Sequence, residues 1–168
     1  MEIEFEKKLN LRPLKASDVD AFMTWGGDPK VTASLFWDAY TDRELAAQFL
    51  RDVAEKQPWF MAIIYEDQPV GAITLDRGAG RAVIRAELGY VVAKKYWGKG
   101  IATQAVKLAL QRGFTDLNLE RIEALVAPEN EASIRVLEKS GMEREAFLKK
   151  YVIHRGRLRD RFIYGLTK

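Results

Sequence analysis

Tyr90-Val91-Val92-Ala93-Lys94-Lys95-Tyr96-Trp97-Gly98-Lys99-Gly100-Ile101-Ala102-Thr103 is the stretch whose reading decides the fold. An apolar strand ends, two glycines make a tight turn, and a helix begins at once. A helix N-terminus presents amide groups without intrahelical partners, together with the positive end of the helix dipole. Glycines in front of it let a ligand come close to the backbone. Such a junction suits a pyrophosphate. By itself Gly-x-Gly is also compatible with a plain connecting turn. The spacing is not that of a Walker loop, since no Gly-Lys-Ser/Thr follows a four-residue gap. Nor is it the dinucleotide fingerprint, because Thr103 stands where the third glycine or alanine belongs.

Outward from this junction the chain reads as alternating short elements. Glu2 to Leu14 is expected to be a first strand, with alternating stretches at Ile3–Phe5 and Leu9–Leu11. Ser17 is expected to cap a helix from Asp18 to Trp25, and Asp28-Pro29 to break it. Thr41-Asp42-Arg43-Glu44 reads as a capping box for a helix reaching about Lys56. Trp59 to Tyr65, Val70 to Asp76 and Arg81 to Ala93 read as strands, with turns at Glu66–Pro69 and Gly78–Gly80. Ile101 to about Thr115 is a helix and Arg121 to Val126 a strand, which makes a strand–helix–strand unit with parallel pairing. Asn130 to Ser140 is a helix stopped by Gly141, and the strands Glu143 to His154 and Arg157 to Leu166 turn at Arg155-Gly156. The class is α+β, with one mixed sheet. No repeat, low-complexity tract or linker interrupts the 168 residues, so a single domain spanning 1–168 is expected.

Composition narrows the chemistry. The chain has no Cys and one His, His154. Disulfides, a thiolate nucleophile and Cys-based metal sites are thereby excluded, as is a His-rich metal centre. Catalysis must rest on carboxylates, hydroxyls, backbone amides or a bound cosubstrate. The net charge of +3 is too small to argue for a nucleic-acid partner. From Glu143 onward, however, eight basic residues face three acidic ones. The N-terminus lacks the apolar centre of a signal peptide, and no apolar run approaches the ~18 residues of a membrane span. A cytoplasmic protein without a membrane partner is expected.

Lys95-x-x-Gly98-x-Gly100-Ile101-Ala102 resembles the acetyl-CoA-binding motif of the GNAT N-acetyltransferases, with Lys95 where that family prefers Arg or Gln. Arg121-Ile122-Glu123-Ala124 and Pro128-Glu129-Asn130-x-x-Ser133-Ile134-Arg135-Val136-Leu137-Glu138-Lys139-x-Gly141 resemble the RimJ/RimL branch, which acetylates protein N-terminal amines. The order of elements fits as well. The resemblance implies the GNAT fold, a mixed twisted sheet of about seven strands with about four helices. It implies acetyl-CoA as cosubstrate, no metal, and direct transfer to a primary amine. The preferred acceptor is then a protein or peptide N-terminal α-amine. A polyamine- or aminoglycoside-like acceptor, and a catalytically silent acyl-CoA-binding module, are the alternatives. A monomer or a homodimer is expected.

The same resemblance assigns roles. The amides of Gly98, Lys99, Gly100, Ile101, Ala102 and Thr103 cradle the pyrophosphate. Val91, Val92 and Ala93 splay from a neighbouring strand through a bulge, and their backbone groups pair with the pantetheine arm and polarise the thioester carbonyl. Glu87 is the general base, since an ammonium cannot attack until its proton leaves. Its alternative is a structural carboxylate paired with Arg85. Asn130 hydrogen-bonds the pantetheine arm or caps its helix, or both. Many relatives protonate the leaving thiolate with a Tyr; Leu137 occupies that position here, so Ser133 or water takes the role. Trp37 is a candidate for acceptor selectivity. The stripe Arg155, Arg157, Arg159 and Arg161 recurs on one strand face and reads as a solvated face or as a surface for an acidic peptide or an RNA-rich neighbourhood.

Overall fold

The computed structural model describes residues 8–168. Seven strands hydrogen-bond in the order β1-β2-β3-β4-β5-β7-β6. They are β1 (Leu9–Pro13), β2 (Phe60–Tyr65), β3 (Gln68–Arg77), β4 (Arg85–Val92), β5 (Arg121–Val126), β6 (Glu143–His154) and β7 (Arg157–Thr167). Five α-helices occur among the described residues: α1 (Val19–Gly26), α2 (Pro29–Thr32), α3 (Arg43–Asp52), α4 (Ile101–Thr115) and α5 (Glu131–Lys139). The sheet is mixed, since β4 and β5 run parallel and the β1–β2, β2–β3, β5–β7 and β6–β7 pairs antiparallel. No helix among the described residues is long and apolar enough to cross a membrane.

Several local expectations shift for identifiable reasons. The Ile3–Phe5 part of the first strand lies outside the described residues. The helix count rises from four to five because Pro29 starts a short helix instead of only ending one. Asp28 caps it through Lys30 N–H at 2.8 Å, and a proline at the first helical position forfeits no bond. Asp42, not Thr41, caps α3, taking the Glu44 N–H at 2.7 Å. Ser17 lies inside a 3-10 turn, Ala16–Asp18, and Arg12 grips Asp18 there with two 2.7 Å bonds. The strand expected from Arg81 begins at Arg85, because Gly80–Ala82 forms a 3-10 turn.

The chain divides into two compact units. The first comprises residues 8–74 and 90–105. Its core gathers Leu14, Val19, Phe22, Trp25, Leu50 and Ala93, with Phe22 edge-on to Trp25 at 5.7 Å between ring centres. The second comprises residues 75–89 and 106–168. Here one sheet face is apolar: Ala86, Leu88, Ile122 and Ala124 are buried, alternating with the charged Arg85, Glu87, Arg121 and Glu123. Gly113 lets α4 lie close against that face, since a Cβ there would meet Ile122 Cδ1 at 2.5 Å.

Arg155-Gly156 forms the expected two-residue hairpin turn, both with positive φ (50° and 71°). The arginine stripe is shorter than its spacing suggests. Arg157 and Arg159 are exposed, whereas Arg161 is 4% exposed and donates to the Asp160 carbonyl at 2.8 Å. A strand that is solvated at its hairpin tip enters the core further along.

Candidate active site

Two features of the chain carry chemistry, one in each unit. In the first unit β4 runs out at Val92 and a 3-10 turn, Lys94–Tyr96, leads into the glycine loop. The indole of Trp97 donates to the Val92 carbonyl at 2.7 Å and ties the loop back to the strand end. Gly98 and Gly100 have φ of +73° and +78°, a region that side-chain-bearing residues rarely adopt. Nothing lies within 4 Å of where a Cβ would sit on either, so the loop opens onto free space. Gln104 N–H donates to the Gly100 carbonyl at 3.1 Å, the first bond of α4. The amides of Ile101, Ala102 and Thr103 therefore fall in the first turn, where the helix supplies no carbonyl for them. Lys95 and Lys99 hold their ammonium groups 5.5 and 5.2 Å from the Tyr96 ring centre, adding positive charge beside the loop. A phosphate-bearing group fits this combination of room, amides and cations.

The strand end is shaped from beneath. A Cβ on Gly71 of β3 would run into the Val91 carbonyl and sit 3.0 Å from Val92 Cα. Ala93 N–H donates to the Val70 carbonyl at 2.8 Å. Because backbone groups alternate sides along a strand, this bond turns the Val92 amide away from β3. Of the three backbone stations at Val91, Val92 and Ala93, the Ala93 amide is thus engaged within the sheet. The same register relates Val70 to Ala93 and Gly78 to Arg85, whose carbonyl takes the Gly78 N–H at 3.0 Å. The parallel pairing with β5 covers Arg85–Glu87 against Arg121–Glu123, while β4 continues to Val92 and β5 to Val126.

In the second unit Glu87 lies on the charged face of β4, beside Glu123 in the parallel register. Glu123 is held by Arg85 Nη1 and by Arg121 Nε at 2.9 Å, and Arg121 also clasps Glu145 at 2.5 Å. Glu87 joins none of these ion pairs. Burial raises its pKa above the ordinary glutamate value, the charges of Asp76 and Glu123 raise it further, and Arg85 opposes them. Its side chain nevertheless reaches solvent. Asp76 is likewise raised by burial. Among the described residues no group of three or more His, Asp or Glu side chains is arranged to hold a metal ion.

Asn130 takes the Ser133 N–H on its Oδ1 at 3.1 Å and so caps α5, which leaves its amide nitrogen for other partners. Ser133 is half-buried, and Leu137, one turn on, is fully buried core. Trp37 is 38% exposed beside Phe36 at 63%. Sequence reasoning missed Trp97 as the loop's anchor, Gly71 as the support of the strand end, and Asp76. Only Trp97 carried a local signal, its adjacency to Gly98.

The acetyltransferase (GNAT) domain family matches residues 8–143. The chain is 35% identical to an uncharacterized N-acetyltransferase, p20, of Bacillus licheniformis, over all of this chain and 97% of that one. It is 40% identical to the spermidine N(1)-acetyltransferase of Escherichia coli K12, but over 45% of this chain and 41% of that enzyme. A GNAT-family acetyltransferase structure from Bacillus anthracis superposes with a TM-score of 0.86 at 30% identity, covering 95% of both chains. Mycobacterium smegmatis RimJ in complex with CoA-disulfide superposes with a TM-score of 0.79 at 29% identity, over 95% of this chain and 81% of that one.

Proposed function

This chain belongs to the GNAT acetyltransferase family and is an acetyl-CoA-dependent N-acetyltransferase; from that premise we propose that its 168 residues act as one catalytic domain that acetylates protein or peptide N-terminal α-amines. The observation that carries the cofactor side of this reading is the β4–α4 junction, where two left-handed glycines open onto the first-turn amides of a helix. The RimJ/RimL likeness of the Asn130–Gly141 segment supports the acceptor.

Bound acetyl-CoA supplies an activated thioester and a leaving thiol. The chain's own groups do the rest. The amides from Gly98 to Thr103 hold the pyrophosphate, with Lys99 adding charge. The Val91–Ala93 strand end aligns the pantetheine arm, and the outward-turned Val92 amide faces the charge that develops on the thioester oxygen. Asn130 donates its free amide to the same arm. Glu87 accepts the proton that the ammonium must lose, and its raised pKa makes it a stronger base than an ordinary glutamate. Ser133 or water returns a proton to the departing sulfur, since the Leu137 side chain has none to give. The exposed Phe36–Trp37 segment contributes to acceptor choice.

Glu87→Gln is expected to lower kcat by about 10²–10⁴-fold with little change in acetyl-CoA affinity. In the wild type the acid limb of the pH–rate profile should lie above the usual glutamate range, activity rising as Glu87 loses its proton. Unchanged turnover in the variant rejects Glu87 as base. A peptide-library screen run beside spermidine, with CoA release as readout, tests the acceptor. Turnover confined to spermidine would replace the peptide reading with the polyamine one suggested by the Escherichia coli relative. Acetyl-CoA binding without CoA release on any amine would indicate a silent binding module.

A further inference from the structure

Asp76 has no place in the chemistry so far, yet its position on the sheet is unusual. The Gly78–Arg85 bond and the strand direction put Asp76 directly across from Glu87 on β3 and β4. Residues so opposed in an antiparallel ladder have Cα atoms about 5.5 Å apart and side chains on the same face. On the other flank Glu87 registers with Glu123. Three carboxylates thus stand in a row across three adjacent strands. They are not equivalent. Glu123 is neutralised by Arg85 and Arg121. No ion pair to an arginine or lysine is formed by Asp76 or Glu87 among the described residues. Like charges directly opposed on a sheet destabilise it, so an uncompensated pair needs another reason to exist.

We propose that Asp76 is a positioning residue for the transfer reaction, a cross-strand carboxylate whose charge keeps Glu87 reluctant to ionise and so tunes it as a base. The inference rests on the assignment of Glu87 as general base. It is a matter of Coulomb repulsion at short range on a partly desolvated face, where one carboxylate shifts the titration of its neighbour. The charged groups facing Glu87 are Asp76 from β3, Glu123 from β5 and Arg85 from β4 itself. Arg85 works in the opposite direction, both by its own charge and by masking Glu123. Because both Asp76 and Glu87 hold protons more tightly in the folded chain than in the unfolded one, the stability these two groups contribute is fully present below the ordinary carboxylate range and is lost as pH rises through the raised values.

The test is a carboxylate NMR titration of the intact, ligand-free chain, paired with the pH–rate profile, for wild type, Asp76→Asn and Arg85→Gln. Asp76→Asn should lower the Glu87 midpoint and move the acid limb of kcat/KM down with it. The melting temperature at neutral pH should rise. Arg85→Gln should move the midpoint and the limb upward. A purely structural role for Asp76 would not produce opposite displacements in the two variants. An unmoved Glu87 midpoint in Asp76→Asn overturns the inference even if activity falls. A midpoint that moves while the acid limb stays fixed overturns it too, and traces the failure to Glu87 not being the base. Should Asp76→Asn fold poorly, Asp76→Glu, which keeps the charge, must leave the midpoint near its wild-type value.

Discussion

At the β5–α5 junction the chain caps its own helix: Asn130 Oδ1 takes the Ser133 N–H at 3.1 Å. At the β4–α4 junction the residue before the helix is Gly100, which has no side chain to offer and sits at φ +78° over open space. Both are strand-to-helix turns in the same sheet, and both begin helices whose first amides need acceptors. The first meets the need from within and is complete without a ligand. The second has no side chain to offer as a cap, and Lys95 and Lys99 stand beside it. The proposed binding site is the junction whose capping residue has no side chain.

The contrast breaks most sharply if the second junction is given a cap. Gly100→Asp supplies an acceptor to the first-turn amides and a negative charge at the proposed pyrophosphate site. Losing one or two charge-assisted bonds at about 1.5–3 kcal/mol each should weaken acetyl-CoA binding by about 10- to 10⁴-fold. Calorimetric titration measures it, and wild-type affinity in the variant would remove the pyrophosphate from this loop. Next in size is Gly71→Ala. The added methyl meets the backbone of Val91–Val92, and such overpacking costs about 1–3 kcal/mol. Chemical denaturation should show that loss, with a fall in kcat because the strand end shifts. A fully stable, fully active variant would mean that the close approach of Gly71 does not shape the site.

The smallest effect probes the self-sufficient junction. Asn130→Ala removes the cap and should cost about 1 kcal/mol of stability. Asn130→Asp keeps the cap but deletes the amide donor, so stability should survive while KM for acetyl-CoA rises a few-fold. An unchanged KM in the Asp variant would make Asn130 a cap and nothing more.

Much of this was readable in the chain order. The glycine loop, the helix behind it and the Asn130 cap are local patterns: each depends on residues within a turn of one another, and local sterics and hydrogen bonding decide them. The hairpin at Arg155-Gly156 was legible for the same reason. Arg161 was not, because a two-residue period gives the face of a strand but not the point along it where solvent ends. Pro29 misled in another way, since the same residue ends one helix and begins the next.

The sequence by itself narrowed the chemistry: with no Cys and one His, a thiolate nucleophile and a His-rich metal centre are excluded. It also determined the shape of the β4–α4 junction, because a left-handed glycine turn before a helix is a local structure. Only the tertiary structure decided the company of Glu87. Asp76 is eleven positions away along the chain and Glu123 thirty-six, and strand register alone makes them neighbours. Charge interactions act through space, and the register that sets those distances is fixed by burying Ala86, Leu88, Ile122 and Ala124 on the opposite face.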